Sequence, residues 1–193
     1  MRRLVKWLTA IVALALITCA LALGYVRSTG LSARATPSSL EAKLARSVRA
    51  FAIPGAERSR RNPVPRSDDA IRAGLEHYAD HCASCHANDG SGATQFGRGL
   101  FPRPPDLRLA ATQQLTDGEL FYIIENGIRF TGMPAFATGG AEGEAESWKL
   151  VHFIRRLPQL PEADQERMKQ LNPRSPEEIR LEIEEEEFLR GAR

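Results

Sequence analysis

The sequence predicts an all-helical protein of 193 residues. Apolar residues recur every three or four positions in several separate stretches, and helix-start and helix-stop signals bracket those stretches. No stretch shows the strict alternation of apolar and polar residues that is typical of strands. We expect four regions: a membrane anchor over 1–26, a basic linker over 27–66, a helical domain over 67–157 and an acidic tail over 158–193.

The N-terminal region is predicted to cross a membrane. From Trp7 to Val26 the chain carries no charge, and roughly twenty apolar residues span a bilayer about 30 Å thick. A cleaved signal peptide usually has an apolar region of only about 7 to 15 residues. An uncleaved anchor is therefore favoured, with its three preceding cations in the cytoplasm. Cys19 lacks the small residues that precede an acylated cysteine, so we interpret it as a small buried hydrophobe.

The linker is rich in arginine, serine and proline and carries a net charge of +7 over residues 26–66. Because these cations lie outside the predicted core, they do not indicate nucleic-acid binding. Within the linker, helical spacing of apolar residues predicts a short basic amphipathic helix with Leu40, Leu44, Val48 and Phe51 on one face. This helix either docks on anionic lipid headgroups or a partner, or is a solvated helix within the linker.

Three helices are predicted in the domain. Ser67 caps the first, which places Ile71, Leu75, Tyr78 and Cys82 on one stripe. A capping box at Thr116–Glu119 starts the second, which ends at Gly127. The third covers 144–157 and stops at Pro158. Residues 87–115 form a long irregular loop, and the tail, with its acidic run at 182–187, is predicted to be solvated or loosely docked.

The sequence Cys82-Ala-Ser-Cys85-His86 has the spacing of covalent haem attachment. Two thiols on one helical turn can add to two vinyl groups of one porphyrin, and the adjacent histidine then lies beneath the iron. A thioredoxin-like disulfide would require a strand-helix context, which is missing here. A zinc site would require further ligands, for which His77, His81 and His152 are the only candidates.

A second axial ligand completes the iron coordination of a simple electron carrier. Methionine is a soft ligand that raises the reduction potential. Met133 lies between Gly132 and Pro134 in a turn that can aim one side chain, whereas Met1 is the start of the chain and Met168 is expected to be partly exposed in the tail. Met133 is therefore the predicted sixth ligand.

With these motifs, residues 67–157 resemble the class I cytochromes c. The resemblance includes Gly74, Tyr78, the segment 127–136 and the aromatic final helix that begins near Trp148. It implies a helical fold around one covalent haem c, with the first and last helices crossing near Gly74. It also implies that a proline carbonyl, from Pro104 or Pro105, orients His86.

Weaker candidates surround this site. Any of three arginines in the loop could pair with a haem propionate. Two aromatic residues are predicted core residues that could instead donate a hydrogen bond to a propionate. These candidates are Arg98, Arg103, Arg108, Tyr122 and Trp148.

The motifs predict an electron carrier and not an enzyme, with redox proteins as partners. Haem ligation of this type occurs outside the bacterial cytoplasmic membrane, so a single-pass anchor would place the haem domain in the periplasm. Two alternatives stay open: a cytochrome subunit of a larger dehydrogenase or terminal oxidase complex, and a haem sensor or enzyme whose sixth ligand is displaceable.

Overall fold

The computed structural model describes residues 2–191, and within them the chain is helical without a strand, which confirms the predicted class. The described helices are α1 (Arg2–Thr29), α2 (Ser39–Ala52), α3 (Gly55–Arg58), α4 (Asp68–His81), α5 (Ala83–His86), α6 (Ala110–Gln113), α7 (Asp117–Asn126), α8 (Gly140–Arg156), α9 (Glu162–Leu171) and α10 (Pro176–Leu189). The chain divides into two compact units, one up to residue 35 and one from residue 36 onward.

Helix α1 makes up most of the first unit. It is one continuous helix of 28 residues, and by length and composition it could cross a membrane. All of its described side chains are exposed, including that of Cys19. Contrary to the expectation, no other part of the described chain buries Cys19.

The core of the second unit forms where α4 packs against α8. The hydroxyl of Ser67 accepts a hydrogen bond from the amide of Ala70, as expected for an N-cap. Gly74 lies directly against the carbonyl oxygen of Lys149, so a Cβ atom at this position would collide with the facing backbone. The implied crossing of the first and last domain helices near Gly74 is therefore present, and buried Tyr78 and Phe153 pack beside it.

Helix α7 completes this core. Its predicted capping box is present, with reciprocal hydrogen bonds between Thr116 and Glu119. Phe121 stacks on Trp148 with ring centroids 4.1 Å apart. The helix ends at Asn126 and Gly127 provides its C-cap, as the sequence predicts.

Only part of the region predicted as a linker is unpacked. Residues 53–66, which we call the strap, pack against α7 and α8. Asn62 donates to the carbonyl of Trp148 at 2.9 Å, and the ring of His152 lies 2.8 Å from the carbonyl of Val64. The sequence did not reveal the strap because it is attached through polar side chains and backbone carbonyls, which give no apolar periodicity.

The predicted tail is also partly packed. Met168 on α9 is completely buried in the core, so the expectation of a partly exposed side chain is wrong. Beyond α9, Asn172 donates to the carbonyl of Ala79 at 2.8 Å. One buried apolar side chain, an asparagine and ion pairs such as Arg167 with Glu76 hold α9, and these give no apolar periodicity from which docking could be predicted. In contrast, α10 has no buried residue, as expected for a solvated tail.

Candidate haem-binding site

The two cysteines and the histidine of the motif lie on one helical turn. Cys82 follows directly after α4 and precedes α5. The amide of His86 donates to the carbonyl of Cys82 at 2.9 Å, and the amide of Cys85 donates to the same carbonyl at 3.1 Å. Both cysteines are free thiols and half-buried. The first domain helix therefore delivers all three side chains to one place, as the sequence predicts.

The environment of Cys82 disfavours the two alternative interpretations of the motif. Burial raises the pKa of Cys82 to about 12, whereas a thioredoxin-type cysteine needs a lowered pKa to act as a thiolate. Among residues 2–191, no cluster of three His, Cys, Asp or Glu side chains could hold a metal ion. The high pKa of Cys82 therefore disfavours a thioredoxin-type thiolate at this position.

The imidazole of His86 is suited to bind iron in its neutral form. Burial lowers its pKa, and the carbonyl of Pro105 opposes this by favouring the protonated ring. The buried Nδ1 atom has no hydrogen-bond partner among the described groups. Of the two prolines that the sequence left open, Pro105 is the one whose backbone acts on the pKa of His86.

The loop after α5 folds back onto the cysteine turn. The amide of Gly92 donates to the carbonyl of His86 at 2.8 Å, and the hydroxyl of Thr94 donates to the carbonyl of Cys85 at 3.2 Å. A Cβ atom on Gly97 would lie 2.8 Å from the carbonyl oxygen of Cys85. The irregular loop therefore covers the cysteine turn closely and is held by contacts to its backbone carbonyls.

One of the three loop arginines is already paired. Arg108 bridges Asp89 at 3.0 Å and Asp106 at 2.7 Å, and the hydrogen bond from Arg108 lowers the pKa of Asp106. Arg98 and Arg103 are exposed. The structure therefore engages Arg108 within the loop and leaves Arg98 and Arg103 as the accessible candidates for a propionate.

Met133 lies in a segment that returns along the end of α7. The amide of Ile128 donates to the carbonyl of Met133 at 3.1 Å, and the amide of Phe136 donates to the carbonyl of Ile124 at 3.0 Å. Gly127 has a φ of +64° and lies so close to this segment that an added Cβ would be 2.5 Å from the carbonyl carbon of Pro134. The helix end and the methionine turn therefore form one fixed unit.

A short 3-10 turn connects the methionine segment to the cysteine turn. The turn covers Gly97–Gly99. Gly97 contacts Cys85 at its start, and Leu100, directly after the turn, contacts Gly132. Cys85 and Met133 thus belong to loops that pack on the same intervening turn. Sequence reasoning missed Leu100, because a lone leucine in an irregular loop gives no periodic signal.

The loops of this site also expose large apolar side chains. Phe96 and Leu109 are exposed, and Phe130 is 94% exposed with a φ of +63°, an uncommon conformation for an aromatic residue. Two cysteine side chains, an imidazole, a thioether and nearby apolar side chains match the groups that haem c requires. The residues present therefore fit a haem.

The other histidines lie in different surroundings. The rings of His77 and His81 meet edge to face with centroids 4.9 Å apart, and His81 is exposed. His152 is buried against the strap. Trp148 is buried in the core as expected, with its Nε1 atom unpaired among the described groups, and Tyr122 is half-buried.

Comparison with known families bears on this chemistry directly. Residues 69–154 match the family model described as cytochrome C oxidase, cbb3-type, subunit III. The match supports a c-type cytochrome domain over these residues. The match contains the cysteine turn, the covering loop, the methionine segment and nearly all of α8. A match to this family implies a domain that binds haem c.

One solved structure shows a partial resemblance. A chain of the Kuenenia stuttgartiensis reducing HAO-like protein complex aligns at 24% identity with a TM-score of 0.43, over 57% of this chain. The alignment spans 54% of that chain, or about half its length. No curated protein matches the present sequence.

Proposed function

We propose that this protein is a membrane-anchored cytochrome that carries single electrons on one covalently attached haem c. The observation that supports this most strongly is the placement of Cys82, Cys85 and His86 on one turn within the cytochrome domain. The thioethers would form at the two cysteines, and His86 would ligate the iron. The haem, when bound, supplies an iron that cycles between ferric and ferrous states.

Met133 is the proposed second axial ligand. Its segment is fixed by Gly127 and by the hydrogen bond to Ile128, which limits the positions that the thioether can reach. Met168 is enclosed in the core and is committed to packing. A filled coordination shell would keep oxygen from the iron, so the protein would transfer electrons without making or breaking bonds in a substrate.

The proposed location is the outer face of a bacterial cytoplasmic membrane. Helix α1 would insert as a single span, and the cytochrome domain would lie in the periplasm. Because the strap is packed, the unpacked connection after α1 consists of residues 30–38 and does not extend over the full predicted linker. Nine residues extend to at most about 30 Å. The domain would therefore reach partners close to the membrane surface.

A second candidate function is that of a cytochrome subunit in a larger oxidase complex. The description of the matching family model, which names a subunit of a cbb3-type oxidase, favours it. Purification from native membranes in mild detergent distinguishes the two candidates. A free carrier elutes alone, whereas a subunit elutes with a stoichiometric integral-membrane partner.

The sixth ligand is tested with Met133→Leu, and Met168→Leu is the matched control. Both substitutions keep the side-chain volume nearly constant. We expect the ferric iron-sulfur charge-transfer band in the parent protein and in Met168→Leu, and its loss in Met133→Leu. An unchanged spectrum in Met133→Leu would exclude this ligand. Rapid carbon monoxide binding by the ferrous parent protein would favour a sensor or enzyme with a displaceable ligand.

A further inference from the structure

Helix α2 has an apolar face that the rest of the described chain leaves uncovered. Leu40, Leu44, Val48 and Phe51 follow one another at helical spacing and are 58–92% exposed. The helix has no buried residue along its 14 positions. A capping box between Ser38 and Glu41 starts it, so its first turn has the hydrogen bonds of a well-formed helix.

The opposite side of α2 is attached to the cytochrome domain. Arg49 lies nine positions after Leu40, which places it half a turn away from the apolar face. Its Nε atom is buried, and burial lowers the pKa of the guanidinium while the charge of Glu119 opposes that shift. Directly after the helix, Ile53 is buried. Arg49 and Ile53 thus hold the C-terminal end of the helix at the domain, and its apolar face stays exposed.

The charge around this face favours an anionic surface. Lys43 and Arg46 lie outside the apolar stripe, Arg34 precedes the helix, and Glu41 is its single acidic residue. An exposed apolar stripe with cations on the remaining faces is typical of helices that lie in the headgroup region of a bilayer. Basic residues near the membrane add attraction to anionic lipids.

We propose that α2 lies on the anionic headgroup surface of the bilayer that contains α1, with Leu40, Leu44, Val48 and Phe51 inserted. This proposal rests on the insertion of α1, which is part of the proposed function. Only residues 30–38 separate the two helices in the chain. Because Arg49 and Ile53 attach α2 to the domain, docking would also hold the cytochrome domain in one orientation above the membrane.

The test uses the full-length haem-loaded chain in nanodiscs of phosphatidylcholine mixed with phosphatidylglycerol. Two labelled variants, Val48→Cys and Ala45→Cys, each carry a nitroxide in a Cys19→Ala background. Residue 45 is exposed on the same helix and lies outside the apolar stripe, so it is the matched control. Co-elution of the chain with the discs reports insertion of α1 independently of α2.

We expect the label at residue 48 to collide mainly with oxygen and the label at residue 45 mainly with a water-soluble nickel chelate. Adding Leu44→Glu and Phe51→Glu should abolish the preference for oxygen at residue 48. The preference for oxygen at residue 48 should be weaker in discs of phosphatidylcholine alone. In chains that co-elute with the discs, a water-exposed label at residue 48 would overturn the proposal. A label shielded from both reagents would also overturn it, because it would show that a protein covers the face.

Discussion

Two regions pack on the pair α4 and α8 and differ in how they are held. The back layer, our name for the strap together with residues 162–172, has Met168 buried in the core, Asn62 bonded to the carbonyl of Trp148, and the carbonyl of Val64 against the ring of His152 on α8. The front loops, residues 87–109 and 127–137, are held mainly by backbone hydrogen bonds and close glycine contacts, with the ion pairs of Arg108 in addition. In the back layer, the large apolar side chain of Met168 is buried. The front loops, in contrast, expose the aromatic side chains of Phe96 and Phe130.

This difference assigns separate tasks to the two regions. The back layer closes the core, so its substitutions should lower the free energy of unfolding and leave the haem spectrum unchanged. The front loops surround the proposed ligands of the iron, so their substitutions should alter the spectrum. The following predictions concern the full chain in detergent, with unfolding by guanidinium followed by circular dichroism.

Truncation of Met168 in the back layer should have the largest effect. Because this side chain is fully buried, Met168→Ala should lower the free energy of unfolding by about 2 to 5 kcal/mol. Leu171→Ala, at a position that is 37% exposed on the same helix, should cost much less. A shift of the charge-transfer band in Met168→Ala would contradict the separation of the two regions.

A methyl group at Gly118 should loosen the strap. The added Cβ would overlap the carbonyl oxygen of Glu57, so Gly118→Ala should lower the free energy of unfolding by about 1 to 3 kcal/mol. At Gly55, within the strap, an added Cβ meets nothing within 4 Å, and Gly55→Ala serves as the control. Equal stability of the two variants would show that the strap does not pack closely on α7.

In the front loops, Gly127→Ala should alter the ligation of the iron more than the stability of the fold. The position has a φ of +64° and its Cβ would meet the backbone of Pro134. We expect a loss of more than about 1 kcal/mol in stability, together with weakening of the charge-transfer band as Met133 moves. A normal band in this variant would mean that the segment adapts without displacing the ligand.

The ion pairs of Arg108 should contribute least and should depend on pH. Its hydrogen bond lowers the pKa of Asp106, so this contribution is present above the ordinary aspartate pKa and is lost as pH falls through the lowered value. Since these groups are partly exposed, Arg108→Gln should cost less than about 1 kcal/mol near neutral pH. The difference from the parent protein should vanish in acid, and Arg103→Gln should show no such pH dependence.

The sequence was sufficient wherever a local rule determines structure. Ser67 and Thr116 have the side chains that helix starts need, and Gly127 occupies a left-handed position that few other residues accept. The stripe that contains Leu75 and Tyr78 faces the core as predicted. The cysteine spacing placed the two candidate attachment cysteines and the candidate iron ligand His86 on one turn, because a single helical turn fixes their separation.

The parts of the structure that the sequence did not predict depend on contacts between residues far apart in the chain. Asn62 and Trp148 are separated by 86 positions, and a polar residue in a proline-rich stretch gives no sign that it will meet a distant carbonyl. Met168 was assigned to an exposed tail because its neighbours are charged. The choice of Pro105 over Pro104 required the position of the His86 ring.

The covalent attachment of one haem at Cys82 and Cys85 is most directly tested by the mass of the intact chain after extraction with acid and organic solvent. The account predicts a polypeptide that keeps its colour and whose mass is increased by one haem, and an uncoloured chain in the double variant Cys82→Ser and Cys85→Ser. Release of the pigment from the parent protein into the solvent, with the bare polypeptide mass remaining, would contradict it.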